Sequence, residues 1–287
     1  MLENCKISGF ADEINEKLEI QLEVLAELGQ KYIELRSADG INVADLTLDQ
    51  AQEIKARMEA AGVRVSALGS PIGKIMITDE FEPHFEKFCH VVELAKLFET
   101  PYIRMFSFYI PEGEAPEQYR EEVMRRMGRM VEYAGAHDVI LLHENEKGIY
   151  GDKGARCREL MEAFYGDSFR CTFDFANFVQ CGEDTMECYR MLKPYIAYIH
   201  VKDARMENGE VVPAGAGDGH VAEILRQLEA ERYQGFLSLE PHLSDFVGFA
   251  ALEQSEGQAP EQKEPDGIKA YKLAHESLRK LLGNGRS

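Results

Sequence analysis

The segments ILLHENE (140–146), CTFDFAN (171–177), AYIHVKD (197–203) and FLSLEPH (236–242) decide how this chain folds and where its chemistry lies. Each opens on aliphatic, β-branched or aromatic residues and closes on an acid or an imidazole, namely Glu144, Asp174, His200 and Glu240. Such runs read as strands, and helical stretches separate them, so they are expected to be successive parallel strands. Their four end groups would then converge at one mouth. Three carboxylates with one imidazole make an oxygen-rich site for a divalent cation.

The same alternation extends outward to both ends of the chain. Further strands are predicted at CKISGF (5–10), YIELR (32–36), VRVSALG (63–69) and YIRMFSF (102–108), ahead of VILLHE (139–144), RCTFDF (170–175), YIAYIHV (195–201) and GFLSLE (235–240). The intervening segments carry apolar stripes at helical spacing: Leu18, Leu22, Leu25 and Leu28, then Phe81, Phe85, Phe88, Val92 and Ala95. Ile268, Tyr271, His275, Leu278 and Leu282 repeat the pattern near the end. Eight strands alternating with helices predict an α/β fold of the (β/α)8 TIM barrel type, one domain over residues 1–287. Residues 244–267 are rich in Gln, Glu, Gly and Pro and are expected to be a loop over the face that carries the quartet. Phe246, Phe249 and Leu252 make its start apolar.

A length of 287 residues suits such a barrel, and 45% hydrophobic with 29% charged residues is ordinary for a globular enzyme. The net charge of −19 argues against nucleic acid as a partner, because phosphate binding rests on Lys and Arg. No apolar run is long enough to cross a bilayer, and MLENCKISGF lacks a basic segment followed by an apolar one, so a cytoplasmic location without membrane attachment is expected. The six cysteines show no C-x-x-C pair and are expected to be reduced.

A cation held by this quartet can chelate a hydroxyl and a carbonyl of a sugar and acidify the C–H beside the carbonyl. Glu144 and Glu240 suit removal and return of that proton, with Asp174 and His200 as anchors. Lys74, Arg104, Glu146, Asn177, Lys202 and His242 are candidate substrate-binding residues, with Asn145 beside them able to orient ligands. Glu34 and Arg36 share a strand face and are expected either to pair with each other inside the barrel or to bind substrate. His143 has the opposite parity to Glu144 and is expected to be structural. In GAGDG (215–219) the glycines are expected to let backbone approach a ligand and Asp218 to cap the next helix.

The segments LLHENEKGIYGD, TFDFANF, YIHVKDA and LSLEPH resemble the sugar phosphate isomerase/epimerase family of xylose-isomerase-like barrels, and SPIGK and IRMFSFY resemble its third- and fourth-strand segments. The resemblance implies one divalent ion, Mn2+, Mg2+, Co2+ or Zn2+, on Glu144, Asp174, His200 and Glu240, with Glu144 and Glu240 doubling as proton-transfer groups. It implies a small-molecule sugar or sugar-derived substrate and a homo-oligomer. Epimerase-like members often carry a His after the Glu-Asn pair and another shortly after the Asp, where this chain has Glu146 and Asn177. The resulting expectation is a metal-dependent isomerase or epimerase working next to a metal-bound carbonyl. The alternatives are a lyase on the same site, dehydrating a keto-polyol or cleaving a C-glycoside, and a non-catalytic sugar-binding subunit.

Overall fold

Side-chain alternation along each strand explains why these segments close into a ring. On the strand ending at Val201, Ile199 and Val201 enter the apolar layer under the helices, whereas Tyr198 and His200 point the other way. On the next strand Leu237 and Leu239 pack outward and leave Phe236 and Ser238 inside.

The computed structural model describes residues 5–244 and 266–283. Its eight barrel strands are β1 Lys6–Gly9, β2 Tyr32–Leu35, β3 Arg64–Gly69, β4 Tyr102–Met105, β5 Ile140–Glu144, β6 Phe169–Asp174, β7 Ile196–Val201 and β8 Phe236–Leu239. All coincide with predicted strands. The ladder runs β1-β8-β7-β6-β5-β4-β3-β2 with each of these pairs parallel, and β1 and β2 lie side by side across the remaining seam. The result is a single-domain TIM barrel.

The covering helices are α1 Leu18–Glu27, α2 Leu48–Ala60, α3 Phe81–Leu97, α4 Arg120–Gly135, α5 Gly154–Phe164, α6 Phe175–Gln180, α7 Thr185–Leu192, α8 Val221–Ala230 and α9 Gly267–Gly283. Their predicted stripes are the buried faces: Leu18 and Leu25 in α1, Phe88 and Val92 in α3, Tyr271 and Leu278 in α9. Thr47 and Gln50 form a reciprocal capping box at the start of α2. Most of the expected 244–267 loop, with Phe246, Phe249 and Leu252, lies outside the described residues. Among the described residues no helix is long and apolar enough to cross a membrane, and all six cysteines are free.

The barrel interior changes character along its axis. At the N-terminal end Tyr32, Tyr198 and Phe236 pack edge to face or tilted. In the middle, the hydroxyls of Ser8, Ser66 and Tyr198 link at 2.6 and 2.8 Å. At the C-terminal mouth the interior is ionic, and the loops there are laced together. Phe106 and Phe108 N–H groups donate to Ile72 and Gly73 carbonyls, and Tyr150 N–H donates to the Phe108 carbonyl. Gly73 sits at φ +90, and a Cβ there would meet the Phe106 carbonyl oxygen at 2.0 Å, so this wall needs glycine.

Candidate active site

Parallel pairing puts Asp174 level with His200, and Glu144 and Glu240 close the strands on either side. One donor atom from each of the four lies within 4.8 Å of the others, and all four residues are buried. Asp174 caps α6 by accepting the Asn177 N–H on Oδ1 at 2.7 Å, which aims its other oxygen into the mouth. That Oδ2 accepts no hydrogen bond. Asn145 pins the neighbouring strand ends together: its Nδ2 donates to the Asp174 carbonyl and its Oδ1 accepts the Asp174 N–H, both at 3.0 Å. Asn145 therefore fixes the backbone at Asp174.

His200 is held from both sides. Its Nε2 donates to Glu34 at 3.0 Å while Nδ1 lies 2.8 Å from Glu144 Oε1 and 3.5 Å from Glu240 Oε2. Burial works against charge on this ring, but Glu144 and Glu34 outweigh it and hold its pKa well above the ordinary value. Ser238 Oγ donates to Glu34 at 2.6 Å and fixes that carboxylate in turn. A ligating imidazole whose far nitrogen meets a carboxylate is the usual support for a metal-bound histidine.

Three cations balance the acids. Arg104 donates to Glu144 Oε2 at 3.0 Å, Lys202 Nζ donates to Glu240 Oε2 at 3.1 Å and lies 3.5 Å from Asp174 Oδ2, and Arg36 lies 3.6 Å from Glu240 Oε1. Burial raises the Asp174 pKa well above the carboxylate range, with Glu240 and Glu144 adding to it. Burial would do the same to Glu240, but Lys202 reverses the sign and keeps it ionised. His242 Nε2 lies 3.4 Å from Glu240 and 3.5 Å from Glu13. Burial, helped by Lys202, pushes its pKa down to about 3, so the ring is neutral and Lys202 is what holds the Glu240 charge. His242 also adopts φ +47, a costly conformation for a residue with a side chain.

The predicted supporting residues gather at the same mouth. Asn177 Nδ2 donates to the Asn145 carbonyl at 2.8 Å and reaches Glu144 Oε1 at 3.4 Å. Lys74 and Glu146 pair at 3.0 Å one layer farther out, with Lys74 4.5 Å from the Phe106 ring centroid. Burial would raise the Glu146 pKa, but Lys74 and Lys202 lower it overall. His143 is buried against Ser107, a structural role as expected.

Three expectations need correction. Glu34 and Arg36 do not pair with each other: Glu34 takes His200, and Arg36 grips Asp12 at 2.7 Å and Glu13 at 3.1 Å. The GAGDG glycines do not face a ligand, because the N–H groups of Gly215, Gly217 and Gly219 all donate to the Asp203 carboxylate. Asp218 does not cap α8 but accepts the Met206 N–H. Sequence reasoning missed Asp12, Glu13 and the platform residue Phe10, whose ring lies 5.2 Å from that of His200 and 4.4 Å from the Arg36 guanidinium. A polar pair directly after the first strand end, in GFADE, was the available signal.

The donor set fits a divalent cation. It offers three carboxylates and one imidazole within reach of one point, a buried oxygen without a hydrogen bond, and a ring whose raised pKa reports strongly negative surroundings. A barrel with a buried carboxylate and histidine centre at its C-terminal face is the class of protein that fold and site define. The chain belongs to the xylose isomerase-like TIM barrel family, whose model matches residues 22–278.

Among curated proteins it is similar to a 3-dehydroshikimate dehydratase of Bacillus anthracis, 25% identical over 129 residues, 45% of this chain and 46% of the relative. The chain thus aligns with under half the length of that relative. Solved structures show the shared fold: a probable 3-DHS dehydratase of petrobactin synthesis from Bacillus anthracis superposes at TM-score 0.74 and 18% identity over 96% of this chain and 98% of that one. An L-ribulose 3-epimerase also gives TM-score 0.74 at 18% identity, over 98% and 96%. A Mycobacterium smegmatis barrel in complex with magnesium gives 0.67 at 15% identity, over 98% of each chain.

Proposed function

We propose that this protein is a divalent-metal-dependent isomerase or epimerase of a sugar or sugar-derived ketone. The observation that carries this is the convergence of Glu144, Asp174, His200 and Glu240, with their donor atoms within 4.8 Å of one another. A divalent cation bound there would supply Lewis acidity, polarising a ketone carbonyl and acidifying the adjacent C–H. Asp174 and His200 would hold the ion. Glu144 and Glu240 stand on separate strands, so one carboxylate removes a proton from a bound polyol and the other returns one to the neighbouring carbon or the opposite face.

Arg104 and Lys202 steady those two carboxylates at 3.0 and 3.1 Å, while Lys74, Glu146, Asn177 and His242 meet the hydroxyls. Glu144→Gln and Glu240→Gln proteins are expected to fold and to lose turnover, and chelation to abolish activity until metal is restored. Normal turnover by both variants would reject this function.

A second outcome is favoured by one observation, the sequence similarity to a dehydratase. Proton removal beside a carbonyl followed by loss of a β-hydroxyl group is elimination, and Lys202, close to both Glu240 and Asp174, is placed to protonate the departing oxygen. Product mass separates the two: a product of unchanged mass in H2O that gains one deuterium when formed in D2O marks isomerisation, and loss of water marks elimination.

A further inference from the structure

The N-terminal end of the barrel, opposite the mouth, carries charges of the other sign. Lys6, Lys31 and Arg64 stand at or just before the starts of β1, β2 and β3. Tyr32 pairs with Arg64 and β1 lies beside β2, so the three strand starts come together. Between them and α9 the surface is hollowed. One hollow of about 380 Å3 is lined by Lys6, Lys31, Tyr32, His275 and Arg279, and an adjoining one of about 690 Å3 shares Lys6 and Tyr32 and adds Lys55 and Arg64.

This face runs against the charge of the chain. These hollows, with a third between Gly29 and Arg64, bring five Lys or Arg side chains and two acids, Glu59 and Glu99, whereas the whole chain has 32 and 51. Both acids are held by Lys55, at 3.2 and 2.7 Å, and Glu27 at the end of α1 pairs with Lys272. Among the described residues Lys6, Lys31, Arg64 and Arg279 make no ion pair, and Arg64 acts on Glu99 only at longer range. Lys6 instead lies 5.4 and 5.3 Å from the ring centroids of Tyr32 and Phe236. Burial lowers the pKa of half-buried His275, and Arg279 adds more than Glu276 takes back.

Compensation of helix dipoles does not account for the set. Helix α1 has no basic residue in its last turn, and its Ala26 and Leu25 carbonyls already accept the Gly29 and Gln30 N–H groups. Gly62 and Val63 close the end of α2 in the same way on Glu59 and Met58. Lys31 and Arg64 lie beyond these closed ends, at the strand starts. Like charges gathered around a hollow repel one another, and a bound anion removes that cost.

We infer that this hollow binds a small phosphorylated anion of the diphosphate kind on Lys6, Lys31 and Arg279, with Arg64 at its rim. Several cations around one hollow suit a ligand with several negative charges. Its volume suits a small one, and a long polyanion would run on into a surface that carries the remaining net charge of −19. The site is separate from the quartet and leaves the reaction at the mouth open.

Calorimetric titration of the full chain with inorganic pyrophosphate at low salt is expected to give a dissociation constant tighter than about 1 mM. Raising salt to about 0.5 M should weaken it at least about tenfold, because the cations are exposed. A parallel titration with ADP distinguishes the sources: matching affinity assigns the diphosphate on an organic carrier as well, and absent binding confines the site to the inorganic ion. The Lys31→Gln/Arg279→Gln protein is expected to bind pyrophosphate at least about tenfold more weakly. Lys17→Gln/Arg226→Gln, which removes the same charge outside the hollow, is expected to match the parent. Constants weaker than about 1 mM for both ligands would overturn the inference. So would undiminished binding by Lys31→Gln/Arg279→Gln, which would put the anion elsewhere, or an equal loss in the control.

Discussion

The two halves of the barrel share one architecture and divide the chemistry between them. Strands β5 to β8 deliver the donor atoms: Glu144, Asp174, His200 and Glu240. Strands β1 to β4 with their loops deliver much of what holds those donors, beside Lys202 and Asn145 of the second half: Glu34 on the far nitrogen of His200, Arg104 on Glu144, Arg36 near Glu240, and Phe10 beneath His200 and Arg36. In a barrel, residues far apart in the chain face one another across the mouth, so one half can carry the reactive groups while the other sets their orientation and charge.

The strongest way to break this division is to change a donor. Glu144→Gln or Glu240→Gln is expected to lower kcat/KM by about 10²–10⁴ with the fold intact by circular dichroism, the scale of a lost acid–base group. An orienting residue of the first half should act differently. Arg36→Met leaves buried Asp12 and Glu13 without their shared cation, and is expected to cost about 3–5 kcal/mol in denaturant unfolding. Stability of Arg36→Met equal to the parent would show that the cluster around Asp12 and Glu13 does not need it.

Glu34→Gln probes the boundary between holding and reacting. It keeps shape but weakens the grip on His200 Nε2, and is expected to lower metal affinity about 10–100-fold by calorimetry. An unchanged affinity would make Glu34 a barrel filler.

What was legible in the sequence follows the same line. The second half could be read because each donor sits at the end of its own apolar run, where strand period and position alone aim it at the mouth. The eight strands and the helix stripes were legible for the same local reason. The first half was less so, since Arg36 finds Asp12 across 24 residues and Glu34 finds His200 across 166, and no local pattern announces a partner that distant. Glu34 and Arg36 were visible as a polar pair on one strand face, but the short separation suggested the wrong mates. The GAGDG turn failed differently: glycines that appear made for a ligand serve Asp203, a side-chain acceptor one turn of hairpin away.

The smallest effect tests the wall that carries Lys74. His84 Nε2 accepts the Gly73 N–H at 2.8 Å, and burial, with Lys87 adding to it, pushes the His84 pKa down to about 4 from 6.5. The unfolded chain takes up this proton near 6.5 and the folded one only near 4. Stability is therefore complete above the upper value and falls as pH drops through that window. After allowance for partial exposure the loss is about 1–2 kcal/mol. His84→Gln is expected to flatten this part of the stability–pH curve relative to the parent, and identical curves would show that the ring titrates freely.

The most direct measurement is diffraction from crystals soaked in Mn2+, recorded at the manganese absorption edge. One anomalous peak touching Glu144, Asp174, His200 and Glu240, with Glu34 still on the far nitrogen of the imidazole, is the expected result. A peak bound elsewhere, or none at the barrel mouth, would contradict a metal centre built by one half of the barrel and steadied by the other.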